Sequence, residues 1–308
     1  MSATEFVDLF NTTYSRKIDL DYYHWRFERE DCNTLIFSVH DEQGLKGCAG
    51  VHILGMGDFV VAQIVDAIVA ERCRGDGRTF ASLNAQVNKC AETFGAKALF
   101  MLPNEHGAQA WSADRGWRIV SDMYTYARNT CPHPGPTRIE ILPVGKFDTW
   151  ANAIDAIFKT SHPRLFPAVR GKSYLNWRFD NPMHDYTVMQ IYLPQGYRPW
   201  GYMVLKVFTD PAAGKSTGDI VDILWASDAP VALMDALYTA LDYFHKRGVS
   251  RAAMWLQTNT ILDQMGYYLG FERIEQKRRF CVKVLDNNYA RLNDPASWYL
   301  TMADAEIY

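Results

Sequence analysis

The hexapeptide Tyr22-Tyr23-His24-Trp25-Arg26-Phe27 returns 152 residues later as Tyr174-Leu175-Asn176-Trp177-Arg178-Phe179 in a chain of 308 residues. Further matches follow in the same order. Residues 50–54 (GVHIL) are answered by 201–205 (GYMVL) at an offset of 151. Residues 64–68 (IVDAI) are answered by 220–224 (IVDIL) at 156, and Arg115-Gly116-Trp117 by Leu269-Gly270-Phe271 at 154. An ordered set of matches at near-constant spacing, close to half the length, predicts two copies of one fold. Between them, Cys131-Pro132-His133-Pro134-Gly135-Pro136 cannot continue a helix or a central strand. The expected division is a first domain over 1–130, a linker over 131–142 and a second domain over 143–308.

Periodicity assigns the elements of each copy. In the first, helices are expected over 3–15 and 21–29, strands over 34–39, 46–54 and 59–70, and a helix over 78–94. A strand over 98–102, a short helix over 107–114 and a strand over 118–127 complete it. Phe80, Leu83, Val87, Cys90, Ala91 and Phe94 make the apolar stripe of the long helix, with Gly95 placed to end it. The second copy follows suit. Its strands fall over 186–192, 200–208 and 217–225, then come a helix over 230–247, a strand over 251–257, a helix over 260–268 and a strand over 271–284. The fold class is mixed α/β: two tandem domains, each a mostly antiparallel sheet flanked by helices.

Charge and cysteine usage exclude several functions. The formal net charge is −3, so no bulk basicity recruits a nucleic acid polymer or an acidic membrane. No run of about 20 apolar residues is present to span a bilayer. The six cysteines (32, 48, 73, 90, 131 and 281) form no CxxC and no zinc spacing. They read as reduced thiols, and with an N-terminus unlike a signal peptide they predict a cytoplasmic protein without a metal. The sequence leaves the oligomeric state open.

Residues 65–80 carry the chemistry: Val-Asp-Ala-Ile-Val-Ala-Glu-Arg-Cys-Arg-Gly-Asp-Gly-Arg-Thr-Phe. A strand enters a Gly/Arg turn that opens a long helix. The amides of a helix N-terminus lack intrahelical acceptors and carry partial positive charge, so this turn reads as a diphosphate cradle. The element order and this turn resemble the GNAT superfamily of acyl-CoA-dependent N-acyltransferases, whose hallmark is R/Q-x-x-G-x-G/A between a strand and the following helix. Two registers fit. Arg72 to Gly77 matches every position. Arg74 to Thr79 keeps the family's spacing from Val69 and is preferred, with Thr79 in the last small position. Leu102-Pro103-Asn104 and Gly116-Trp117 resemble the family's later motif.

The resemblance implies a coenzyme site made by Val69, Arg74, Gly75, Gly77, Arg78, Thr79 and Asn104. It makes the backbone N–H at Val69 the group that polarises the thioester carbonyl. It also implies direct attack by an amine on acetyl-CoA or a short hydroxyacyl-CoA. Among tandem GNAT chains, the pattern is similar to N-acyltransferases of dTDP-linked amino-deoxysugars. That likeness implies a nucleotide-linked amino sugar as acceptor and a place in polysaccharide biosynthesis. A peptide or protein amine is the alternative acceptor, and a non-catalytic CoA-binding module the alternative role.

Candidate bases are Asp66, Glu105 and His106; the repetition of Asp66 as Asp222 speaks equally for a structural role. Where the family places an acidic Tyr, this chain has Ser112. The second copy reads Leu224-Trp225-Ala226-Ser227-Asp228-Ala229-Pro230-Val231 at the cradle position, with no glycine or arginine, which predicts loss of coenzyme binding there. From Lys159 to Phe179 no acid occurs. Arg164, Arg170, Lys172 and Arg178 in this stretch are the candidates to hold the sugar nucleotide's diphosphate.

Overall fold

Ser2 and Asp19 start the first two helices. Ser2 Oγ accepts from the Glu5 N–H while the Glu5 carboxylate accepts from the Ser2 N–H, a capping box that opens α1 (Ala3–Thr13). Asp19 accepts from the Tyr22 N–H at 3.0 Å and opens α2 (Leu20–Phe27). The antiparallel strands β1 (Thr34–Asp41), β2 (Gly44–Gly55) and β3 (Val60–Val69) follow. After a 3-10 turn come α3 (Arg78–Thr93), β4 (Ala98–Met101) and α4 (Glu105–Ser112). The computed structural model describes residues 1–28, 34–75, 77–112, 116–167, 169–194, 196–209, 214–227, 229–256 and 260–305.

The chain continues through β5 (Arg118–Asn129), β6 (Glu140–Val144), α5 (Thr149–Ser161), β7 (Phe166–Pro167) and α6 (Lys172–Arg178). Then come β8 (Tyr186–Tyr192), β9 (Gly201–Thr209), β10 (Ser216–Trp225), α7 (Pro230–Lys246), β11 (Arg251–Trp255), α8 (Ile261–Tyr268), β12 (Glu272–Val284) and β13 (Trp298–Tyr299). The fold class is the expected one, a mixed α/β architecture.

Two compact units result, and they interleave in the chain. The first comprises residues 1–121, 180–183 and 279–294; the second comprises 122–179, 184–278 and 295–308. In the first unit the end of β12 completes the sheet: Cys281 to Val284 pair antiparallel with Met101 to Ala98 of β4. In the second, β5 plays that part, with Thr125 to Asn129 paired against Trp255 to Arg251 of β11. Each unit therefore takes its last strand from the other half of the chain. The units depart from the expected contiguous division at 130 and 143 for this reason. The stretch expected as linker also differs, because its last residues begin β6. That strand pairs only with β8 and lies at the sheet edge, where Pro143 is tolerated.

The α3 stripe does what its spacing predicts. Leu83, Val87, Cys90 and Ala91 pack on Val51, Ile64, Leu99 and Met101 of the sheet. Phe94 is the exception: it is the C-cap residue and half exposed, because the helix ends one turn too early to bury it. In the second unit Leu233, Leu237, Leu241 and Phe244 of α7 pack on Tyr202, Val204 and Ile220. A Cβ on Gly218 of β10 would stand 2.4 Å from the Phe244 ring. Gly218→Ala is expected to cost about 2 kcal/mol through overpacking, read as a lowered urea midpoint with an unchanged slope.

Candidate functional site

The site is built where two parallel strands part. In the first unit β3 and β4 pair only at Ala62–Leu99 and Gln63–Phe100. Beyond Gln63, β3 runs on to Val69 without that partner, so one backbone edge of β3 faces an opening. The opening leads to α3. Its N-cap is Gly77 at φ +67, no side chain caps it, and Gly75 has φ +91. Both glycines hold a left-handed backbone that other residues adopt only with strain. A Cβ at either position would meet nothing within 4 Å, so the turn faces open space.

The charged residues of the turn divide between two tasks. Arg72 is committed to the β1–β2 hairpin: its Nη1 and Nη2 donate to the Asp41 carboxylate at 2.8 and 2.9 Å, and they hold that carboxyl down to a pKa of about 2. Arg74 Nε donates to the Val69 carbonyl at 3.2 Å, which ties the turn back to the end of β3. Arg78, at the first position of α3, is exposed, and Thr79 is buried beside Gly47. Asp76 lies outside the described residues. Phe80 stands edge-on to Trp111 of α4, and Trp111 to Trp117, which fixes α4 against the start of α3.

The strand that lines the opening carries a bulge. Cys48 pairs with Ile68 and Gly50 with Val65, so Asp66 and Ala67 share one position opposite Ala49. Asp66 has φ +48, and among the described residues no other non-glycine residue has positive φ. Its carboxylate is buried, accepting from Arg26 Nε at 2.9 Å and from the Tyr22 hydroxyl at 3.3 Å. The same slip recurs in the second unit, where Val204 pairs with Asp222 and Leu205 with Ile220. A carboxylate matched by a buried guanidinium is a poor proton acceptor, so Asp66 serves the bulge rather than the reaction.

Asp66→Asn keeps a residue that tolerates positive φ but leaves Arg26 a buried cation without its anion. The expected loss is about 3 kcal/mol of stability, read by chemical denaturation, with the shape of the pH–rate profile unchanged.

Asn104 and Glu105 also have structural partners. Asn104 Oδ1 accepts from the Gly107 N–H at 2.8 Å and caps α4. Glu105 takes a two-point bond from Arg279 at 2.7 and 2.8 Å. His106 is exposed in the first turn of α4. Ser112 donates to the Gln109 carbonyl at 3.2 Å. Burial pushes the Cys281 thiol up to about 12 and raises Cys48 and Cys90, so these thiols stay protonated and are weak nucleophiles.

The expected basic island is not one. Arg170 is fully buried; its Nε donates to Asp222 and its Nη2 to Asp304 at 2.7 Å. Arg178 is buried too, donating to the carbonyls of Ala303 and Ala305. Lys172 pairs with Asp148 and Lys159 with Asp155. Arg164 is exposed. The stretch lacks acids in sequence, but acids from 148, 155, 222 and 304 fold onto it. Arg170, Lys172 and Arg178 are therefore occupied and form no diphosphate subsite.

In the second unit the corresponding strands also part, after Asp219–Ala253. There Trp225 is buried against Phe158, His162 and Tyr299 at centroid distances of 5.4, 5.8 and 5.7 Å. Helix α7 begins with Pro230, which offers no N–H at its first position. Asp228 lies outside the described residues.

A strand opening beside an uncapped, glycine-led helix, repeated once in the chain, is the geometry the known structures share. The fold is that of the GCN5-related N-acetyltransferases. A GCN5-related N-acetyltransferase from Anabaena variabilis is similar over 95% of this chain and 71% of its own, at 15% identity and a TM-score of 0.67. One from Kribbella flavida is similar over 96% and 72%, at 14% identity and a TM-score of 0.65. A tandem GNAT protein from the clavulanic acid biosynthesis pathway is similar over 92% and 94%, at 14% identity and a TM-score of 0.60. No family model and no curated protein matches the chain. Among the described residues no helix is long and apolar enough to cross a membrane, and no cluster of His, Cys, Asp and Glu could hold a metal.

Proposed function

We propose that the chain is an acyl-CoA-dependent N-acyltransferase whose coenzyme site lies in the first unit. The observation that carries this reading is the parting of β3 from β4 beside the glycine-opened start of α3. The residues present suit acyl-CoA. The first-turn backbone of α3 with Arg74 and Arg78 would take the diphosphate, and the edge of β3 near Val69 would take the amide-bearing arm and polarise the thioester carbonyl. Bound acyl-CoA supplies an activated acyl carbon. The chain's part is to orient that carbonyl, bring up a neutral amine and accept its proton. His106 is exposed for that task, whereas Glu105 would first have to leave Arg279. With Cys48 and Cys281 held protonated, direct attack by the amine is favoured over an acyl-enzyme. The second unit, closed by Trp225 and Pro230, would support the first.

The acceptor we favour remains a nucleotide-linked amino sugar, on sequence resemblance alone, now that its basic island is accounted for internally. The test is thiol release from acetyl-, hydroxybutyryl- and longer acyl-CoAs across dTDP- and UDP-amino sugars and short peptides. Turnover confined to amino sugars supports the full reading. Turnover with peptides alone replaces the acceptor, and CoA binding with no turnover anywhere refutes the enzyme.

A further inference from the structure

The segment between α1 and α2 holds a cation without an anion. Arg16 is part-buried, and its Nε and Nη2 are sealed from solvent with no hydrogen-bond acceptor among the described residues. Its one contact of note is the face of Tyr22, 5.4 Å from Cζ to the ring centroid. A buried N–H left unmatched costs about what a lost hydrogen bond costs, and Arg16 has two on one edge.

The segment itself is fixed. Asn11 grips both backbone groups of Ile18, donating to its carbonyl at 2.9 Å and accepting from its N–H at 2.8 Å. Lys17 donates to the carbonyls of Asn11 and Tyr14. Tyr22, which carries Arg16 on its face, reaches Asp66 on the β3 bulge through its hydroxyl. Asp66 is matched to Arg26. Two guanidinium groups and one carboxylate thus meet around Tyr22, with one positive charge left over, three residues along β3 from Val69.

We infer that Arg16 receives a carboxylate carried by one of the two substrates close to the reacting carbon. The Nε–Nη2 edge is the planar fork that binds a carboxylate at two points. The inference deepens the acyltransferase reading and rests on it for the place of the reacting carbon. The carboxylate could belong to the amine acceptor or to the acyl chain, and the experiment separates the two.

The test measures binding to the full chain by calorimetry, with probes paired so that they differ chiefly in a carboxylate. In the acceptor arm, amino acids are compared with their carboxamides on protein saturated with CoA. In the acyl arm, succinyl-CoA is compared with butyryl-CoA on free protein. The expected result is that in one arm the carboxylate member binds tighter by about tenfold to a hundredfold. Arg16→Gln erases that preference, Arg16→Lys keeps part of it, and the affinity for CoA itself is the same in all. Wild-type protein that shows no preference in either arm overturns the inference, as does a preference that survives Arg16→Gln. Failure of CoA to bind wild-type protein refutes the acyltransferase reading instead. The acceptor arm is then run on free protein and judged by the same criterion.

Discussion

Gly77→Glu is expected to weaken CoA binding by about a hundredfold or more while the protein stays folded. The substituted side chain meets no clash, because the space in front of the Gly77 Cβ position is open. The backbone cost is that of a non-glycine residue at φ +67, about 1 kcal/mol. A carboxylate at a helix N-terminus is electrostatically welcome to the helix, so α3 should persist. The same carboxylate faces the position assigned to two phosphate charges. At about 5 Å and an effective dielectric near 20, each repulsion is about 3 kcal/mol before salt screening. Gly77→Ala separates the effects: it carries the backbone cost without the charge, and its CoA affinity should stay within about fivefold of wild type. Titration calorimetry reads the affinity and a thermal melt reads the fold. A Glu variant that binds CoA as wild type does would place the diphosphate elsewhere.

The outcome at Gly77 bears on what a single sequence can disclose. The repeat was legible because its apolar and glycine positions serve the same packing in both copies, and the strand-to-helix turn because only glycine suits its backbone. Local patterns also placed the main helices and strands. What stayed hidden is non-local. The exchange of the last strands, β5 and β12, depends on which partner each finds, and alternation within a strand says nothing of that. Strand β6 and helix α5 went unassigned beside the prolines of the linker.

The Trp-Arg repeat was legible but not its chemistry. Arg26 reaches the bulge aspartate of its unit, whereas Arg178 reaches backbone carbonyls and leaves Asp222 to Arg170. The left-handed backbone at Asp66 had no sequence signal beyond the recurrence of the aspartate. Arg16 had none at all: a lone arginine in a polar stretch becomes notable only when its neighbours are seen not to match it.

The second large effect is expected at Arg170. This buried guanidinium lies between two carboxylates, with Nε at 3.2 and 3.1 Å from the Asp222 oxygens and Nη2 at 2.7 Å from Asp304 and 3.1 Å from Thr301. Thr301 also donates to Asp222 at 2.8 Å, as does the Tyr202 hydroxyl. With Arg178 bonded to the carbonyls of Ala303 and Ala305, the two arginines fasten the last described segment of the chain onto the second unit. Arg170→Met keeps volume and removes the charge, leaving two buried carboxylates to repel each other. A loss of about 4 kcal/mol at pH 7 is expected.

The pH dependence has a definite sign. Burial already raises the Asp304 carboxyl above its ordinary value, and loss of the arginine raises it further, since the nearby cation had been lowering it. A carboxyl with a raised folded pKa binds its proton more tightly in the folded state. Its contribution is complete below the unfolded value near 4 and is lost as pH rises through the folded value. The variant should therefore recover toward wild type at pH 5 and fall furthest behind at pH 7, as read by urea denaturation. Arg170→Met with Asp304→Asn should regain part of the loss at pH 7, because one of the two charges is gone. A stability gap that does not change with pH would make Arg170 a matter of packing alone. Under conditions where the variant is folded, its KM for an acceptor should match wild type. A guanidinium closed in by Asp222, Thr301 and Asp304 has no hand left for a substrate phosphate.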